Sequence, residues 1–279
     1  MIDSSTPGAL AFAHGPVAVM GVLNVTPDSF SDGGAFLSVD AACRHAEAMV
    51  EDGAAIVDIG GESTRPGATP VDESEELDRV IPVIEALASR VPVMISVDTS
   101  KAAVMRAAVA AGASMINDVW ALRQPGAIEA AAAARVPVCL MHMQGEPGTM
   151  QRAPQYDNAV ADVAEFLSGR IAACEAAGIE RELLVVDPGF GFGKRLHDNV
   201  QLLTGLAQIS ALGVPVLAGL SRKSMLGELT GASTGNRLIG SVILAAEAVR
   251  RGAHIVRVHD VAQTTEALTV LSAVLASEQ

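Results

Sequence analysis

The residues of this chain best suited to chemistry stand directly behind short apolar runs. The clearest case is Asp187-Pro188-Gly189-Phe190-Gly191-Phe192-Gly193-Lys194, which places a carboxylate, two phenylalanines and three glycines immediately after the run 183–186. Aromatic side chains make up 3% of the protein, so two of its six phenylalanines beside an acid suit a flat ligand. On these residues alone, a glycine-rich turn whose phenylalanines cap a core fits equally well. The other apolar runs end in Asn24, Gly60-Gly61-Glu62-Ser63-Thr64-Arg65, Asp98, Asn117-Asp118, Met141-His142, Ser221-Arg222-Lys223 and Arg257-Val258-His259. Charges are expensive to bury without partners, so such a ring favours a ligand-binding site over a purely internal ion network.

The residue types indicate what the ligand would be. Asp98, Asn117 and Asp187 match the alternating donors and acceptors of a nitrogen heterocycle, because a carboxylate takes a ring N–H and an amino group together. Arg257 and His259 suit a phosphate, which arginine grips in a bidentate way. Asn24 offers a neutral oxygen to a Mg²⁺ held mainly by substrate phosphates. A heterocycle carrying phosphate is the ligand these residues describe. No rival nucleophilic constellation occurs: there is no G-x-S-x-G, H-E-x-x-H or C-x-x-C, and no dinucleotide fingerprint. His142 reads as a packed or hydrogen-bonded histidine rather than a catalyst.

These side chains need a frame that brings every run's end to one place. Nearly continuous apolar strands are expected over 17–25, 55–60, 93–98, 115–119, 136–142, 183–187, 214–220 and 255–259. Helical patterns lie between them, over 40–52, 74–89, 101–111, 126–134, 158–177, 199–212, 235–251 and 261–275. Several helix-to-strand joints carry glycine, at Gly53, Gly112, Gly178 and Gly252, where a left-handed cap returns the chain to the sheet. Eight βα units without a dividing linker predict a single-domain (β/α)₈ TIM barrel, with a doubly wound open sheet as the runner-up. In a barrel the chemistry gathers at the C-terminal strand ends, where the polar residues stand. The long segments 26–34 and 62–68 rise from that mouth and read as lids that exclude water rather than solvated connectors.

Composition limits the partners. The formal net charge is −13 across 279 residues, which argues against a nucleic-acid binder and leaves a small anion to be met by a local basic pocket. No apolar run approaches a membrane helix, and no leader pattern opens the chain, so the protein reads as soluble and cytoplasmic. Cys43, Cys139 and Cys174 lack metal-ligand spacing and read as small buried hydrophobes.

Taken in order, the motifs resemble those of a known family. Asn24-Val25-Thr26-Pro27-Asp28-Ser29-Phe30-Ser31-Asp32-Gly33-Gly34 resembles the first signature of the dihydropteroate synthase family, and Gly60-Gly61-Glu62-Ser63-Thr64-Arg65-Pro66-Gly67 its second. The resemblance runs on through Ser96-Val97-Asp98-Thr99, Asn117-Asp118-Val119, Met141-His142-Met143, the Asp187 to Lys194 motif, Ser221-Arg222-Lys223-Ser224 and Arg257-Val258-His259-Asp260. Only residues 1–15 stand outside it, as an N-terminal extension before a catalytic domain spanning 16–279.

The resemblance implies a pterin-binding barrel that joins 6-hydroxymethyl-7,8-dihydropterin diphosphate to para-aminobenzoate, with Mg²⁺ as cofactor. It implies that Asp98, Asn117, Met141, Asp187, Lys223 and Arg257 bind the pterin, with Asp98, Asp187, Lys223 and Arg257 central to catalysis. Asn24, Thr64, Arg257 and His259 would meet the diphosphate, with Asn24 on the metal. Ser63, Thr64, Arg65, Pro66, Phe192, Lys223 and Ser224 would frame the aminobenzoate. It further implies inhibition by sulfonamides, which mimic that substrate, and a homodimer formed through the outer helical wall. Trp120 stands where the family more often has a smaller or polar residue, and is either a bulkier outer wall or a tryptophan packed beneath a loop. A catalytically silent pterin-binding paralogue and a pterin-dependent methyltransferase are the competing readings.

Overall fold

In the computed structural model, which describes residues 12, 15–26, 35–63, 70–146 and 148–277, the alternating runs become eight parallel strands. They are β1 (Ala18–Asn24), β2 (Ile56–Gly60), β3 (Met94–Asp98), β4 (Met115–Asp118), β5 (Val138–Met141), β6 (Leu184–Asp187), β7 (Leu217–Ala218) and β8 (Ile255–Val258). They pair in the order β6-β5-β4-β3-β2-β1-β8-β7. A parallel bridge between Val186 and Val216 joins the two ends, and the Val186 N–H donates to Pro215 O at 3.0 Å. The open-sheet alternative is thereby excluded: the sheet closes into a (β/α)₈ barrel, single in domain.

Helices cover the outside: α1 (Ala35–Glu51), α2 (Glu73–Ala88), α3 (Ala102–Ala111), α4 (Ala127–Ala134), α5 (Ala159–Ala176), α6 (Leu196–Thr204), α7 (Leu206–Ser210), α8 (Ser224–Thr230), α9 (Leu238–Arg250) and α10 (Val261–Ala276). Strand residues alternate between two cores, as the pleat requires. Val57, Ile59, Val97, Ile116, Leu140, Val186 and Val256 belong to the large core shared with the helices. Met20, Ile56, Met115, Cys139, Val185, Leu217 and Ile255 meet Phe12 in a separate cluster inside the barrel. Two residues further along those inner faces come Asp58, Asn117, Met141, Asp187 and Arg257. An apolar layer therefore floors the mouth, and a polar layer stands on it.

The helix-end glycines behave as expected: Gly112, for instance, has φ +117°, and an added Cβ would come within 2.7 Å of Ala88. The three cysteines are free and buried. Two expectations need correction, and one element is added. The seventh strand shrinks from 214–220 to two residues, because Pro215 has no N–H to give a ladder. The helix read over 199–212 is two helices divided at Gly205, where a Cβ would meet Val160 at 2.7 Å. The segment after Lys223, which none of the expected elements covers, forms α8.

Candidate active site

Arg257, on the inner face of β8, is the centre of the mouth. Its Nε donates to Asp58 Oδ2 at 2.6 Å and its Nη2 to Asp98 Oδ2 at 2.9 Å. Asn117 Nδ2 donates to the same Asp58 oxygen at 3.0 Å, so one carboxylate orients both an arginine and an amide. Burial opposes the charge on Arg257, but Asp58 and Asp98 outweigh it and raise the guanidinium pKa above its ordinary value. Burial lifts Asp98 to about 7 against the pull of Arg257, with Asp58 adding repulsion. Asp58 was not among the expected site residues, and it is fully buried. Its signal lay in the sequence Ile56-Val57-Asp58-Ile59, where a carboxylate interrupts an apolar run on its inward face.

Across the mouth, Asp187 ends β6 in register with Met141 of β5. Burial raises the Asp187 pKa, while the Gly189 N–H, 2.7 Å from Oδ1, and nearby Lys223 oppose the rise. Burial lowers Lys223 to about 8, against the attraction of Asp187. The Lys223 ammonium lies 4.2 Å from the centre of the Phe192 ring. Phe192 packs with Val119, Met141, Met143 and Met150, and Trp120 leans on that cluster. Asp98, Asn117, Met141, Asp187, Lys223, Arg257 and Phe192 thus line one mouth, as their strand-end positions led us to expect. Three of them are acids or amides facing inward, and two are cations placed to balance charge.

The residues expected to face phosphate stand on adjoining strands. Asn24 ends β1, half-buried and in register with Gly60. His259 follows β8, and its Nδ1 is 3.0 Å from Ser221 Oγ, which also accepts from the His259 N–H at 3.2 Å. Ser63 is half-buried at the start of the second loop, and Ser224 is exposed at the first residue of α8. Thr64, Arg65 and Pro66 lie outside the described residues, as does most of the first loop.

Some polar strand-end residues serve the frame instead. Asp118 accepts from Ser100 Oγ and from the N–H groups of Trp120 and Leu122, and so shapes a turn in which Ala121 and Leu122 both hold positive φ. Trp120 is half-buried, with the Arg123 guanidinium 5.3 Å from its ring. It lines a cavity of about 730 Å³ beside Asp98, so it is wall as well as packing. His142 is the packed histidine expected, pressed edge-on against Phe166 at 4.9 Å.

Comparison with known proteins agrees with this geometry. A family model described as pterin binding enzyme matches residues 20–259. The dihydropteroate synthase of Escherichia coli (strain K12) is 54% identical over 261 residues, covering 94% of this chain and 93% of its own. The Xanthomonas albilineans dihydropteroate synthase solved with 4-aminobenzoic acid superposes with a TM-score of 0.89 at 59% identity, over 94% of each chain. A structure of that enzyme in complex with 7,8-dihydropteroate gives a TM-score of 0.86 at 56% identity, again over 94% of each chain.

Proposed function

The chain belongs to the pterin-binding enzyme family as a dihydropteroate synthase, and from that premise we propose how its mouth divides the work. The reaction joins 6-hydroxymethyl-7,8-dihydropterin diphosphate to para-aminobenzoate, giving 7,8-dihydropteroate and pyrophosphate. The observation that carries the assignment of roles is the Arg257 guanidinium shared between Asp58 and Asp98, with Asn117 tied to the same Asp58 oxygen. In our reading Asp98, Asn117, Asp187 and Lys223 hold the pterin edge, Met141 lines the pocket and Arg257 stacks on the ring. Asn24, Thr64, Arg257 and His259 meet the diphosphate. Ser63, Thr64, Arg65, Pro66, Phe192, Lys223 and Ser224 frame the aminobenzoate.

Electrostatics supports a dissociative substitution. The buried carboxylates Asp58 and Asp187, with the partly buried Asp98, face two cations, Lys223 and Arg257, so the pocket favours a ligand that becomes positive. As the methylene C–O bond breaks, its electron pair leaves with the pyrophosphate and the cation delocalises into the pterin. The aminobenzoate nitrogen then attacks the methylene carbon and sheds a proton. Arg257 and His259 hold the departing anion. Asn24 offers one neutral oxygen at the end of β1, which fits a Mg²⁺ that keeps water and substrate phosphate as its other ligands. Such an ion would supply charge neutralisation on the departing pyrophosphate.

We further assign residues 16–279 to the catalytic domain, after an extension of 1–15, and propose a cytoplasmic homodimer. The packed pair α9 and α10 leaves Ile239, Ile243, Val270 and Val274 exposed, a stripe that a second copy would cover. No helix among the described residues is long and apolar enough to cross a membrane. The deciding assay couples pyrophosphate release to both substrates. Release should require the pterin diphosphate and the aminobenzoate together, and release without the amine, or none at all, would overturn the reading.

A further inference from the structure

A buried cation, Lys194, lies beside the mouth with no part in the reaction above. Lys194 closes the loop that follows β6, and its side chain is almost wholly buried. The Nζ donates to Gly189 O at 2.8 Å and Phe192 O at 3.1 Å, approaches His142 O at 3.4 Å, and sits 2.9 Å from His142 Nδ1. Among the described residues, no carboxylate forms an ion pair or hydrogen bond with it. Burial lowers Lys194 to about 7 against the attraction of Asp187, and burial holds His142 at about 2, so the imidazole is neutral and free to accept.

The loop explains why a donor is needed at this point. Gly189, with φ +68°, passes so close to β5 that a Cβ would lie 1.9 Å from His142 O, and Gly193, with φ +59°, comes within 2.4 Å of Gln144 O in the same way. This approach drives the carbonyl oxygens of residues 142, 189 and 192 towards one point. Buried carbonyls facing one another without donors are costly, and a lysine ammonium brings three donors to one position. The outer side of the loop is pinned separately: Tyr156 Oη donates to Gly193 O at 2.7 Å, and Asn199 Oδ1 accepts from the Gly191 N–H at 2.7 Å. Phe192 lies inside the knot, with its ring directed to Lys223.

We propose that Lys194 is a positioning residue for the second substrate: by gathering the carbonyls of His142, Gly189 and Phe192, it fixes the Phe192 ring beside Lys223 and so sets the wall against which the arylamine lies. The inference rests on the reading that Phe192 borders the aminobenzoate. It places Lys194 apart from the far side of the pterin clamp, where Arg257 bridges Asp58 and Asp98 and Asn117 donates to Asp58, whereas Asp187 and Lys223 border the loop itself.

The test uses Lys194→Met, which keeps the stem and removes the donors, and Lys194→Gln, which keeps a donor should the first variant fold poorly. Amide hydrogen exchange across residues 189–193 should rise at least tenfold. The KM for para-aminobenzoate should rise about tenfold, while pterin affinity measured by calorimetry without the amine stays within a factor of two. Equal losses for both substrates, or unchanged exchange, would make Lys194 a general structural residue and overturn the proposal. Phe192→Ala, assayed in parallel, distinguishes the two ways of failing. If it raises the aminobenzoate KM and neither Lys194 variant does, the positioning role is wrong; if none of the three moves that KM, the Phe192 wall itself is wrong.

Discussion

Two cations stand at the same barrel mouth, and their surroundings differ in kind. Arg257 stands among carboxylates, which raise its pKa and keep it charged, whereas Lys194 stands among carbonyl oxygens and one neutral imidazole, which leave it at about 7. The arginine is partly exposed towards the mouth and the lysine is sealed. Full charges are kept where a ligand must be met and a developing cation stabilised; dipoles suffice where a loop must only be held. The contrast teaches that a perturbed lysine near a catalytic centre is not by that fact catalytic.

The strongest way to break this contrast is to remove the arginine. Arg257→Leu would leave Asp58 and Asp98 without their common partner, a loss on the order of 3–5 kcal/mol of stability for a broken buried pair. The same change should lower kcat/KM by a factor on the order of a thousand, since it also removes a preorganised donor from the departing anion. Urea unfolding and steady-state kinetics measure the two effects. A variant with normal stability and normal turnover would show that Asp58 and Asp98 need no cation. Next in size is Asp187→Asn, which keeps shape but gives up charge. Its pterin affinity should fall by roughly 10- to 100-fold, the range expected for hydrogen bonds to a charged group, with unchanged calorimetric binding as the contrary result.

The carboxylate side of the comparison also makes a pH prediction. Asp98 titrates near 7 in the fold against 3.8 as an ordinary aspartate, so between those values the folded chain holds a proton that the unfolded chain has released. Its contribution to stability is therefore full below about pH 4, declines as pH rises to about 7, and is flat beyond. Unfolding of the wild type and Asp98→Asn along a pH series should show the decline only in the former. Pterin affinity should run the other way, rising towards pH 7 as the accepting carboxylate forms. Asp58→Asn removes the repulsion that helps raise Asp98, so the midpoint of that affinity curve should move to lower pH. A midpoint that stays in place would show that burial alone sets Asp98. The charged groups facing Asp98 are Arg257 from β8, Asp58 from β2, Asp118 from β4 and Glu76 from α2.

How much of this was legible in the sequence follows from which interactions are local. Strand ends announced Asp98, Asn117, Asp187 and Arg257, because an apolar run terminated by a polar residue is visible within a few positions. The barrel was legible for the same reason, as a repeated rhythm punctuated by glycines such as Gly112. Asp58 was missed because it sits two residues before its strand's end, and its partner Arg257 is 199 residues away. The role of Lys194 was equally hidden. All but one of its partners are backbone carbonyls, which carry no residue type, and the approach of its loop to His142 appears only once β5 and β6 are side by side. The division of the sixth helix pattern at Gly205 likewise depended on Val160, a neighbour from another helix.

The smallest change sharpens the lysine side. Tyr156→Phe deletes one neutral hydrogen bond, from Oη to Gly193 O, and leaves the ring in place beside His142. A net loss of about 1 kcal/mol is expected for such a bond, well below the effect at Arg257. The change alters the outside of the loop while the Lys194 cage stays intact, so exchange should increase at Gly193 more than at Gly189, and the aminobenzoate KM should move by less than in Lys194→Met. Were Tyr156→Phe to disturb exchange and that KM as much as Lys194→Met, the loop would be held as a single cooperative unit, and the carbonyl cage would carry no special weight in placing Phe192.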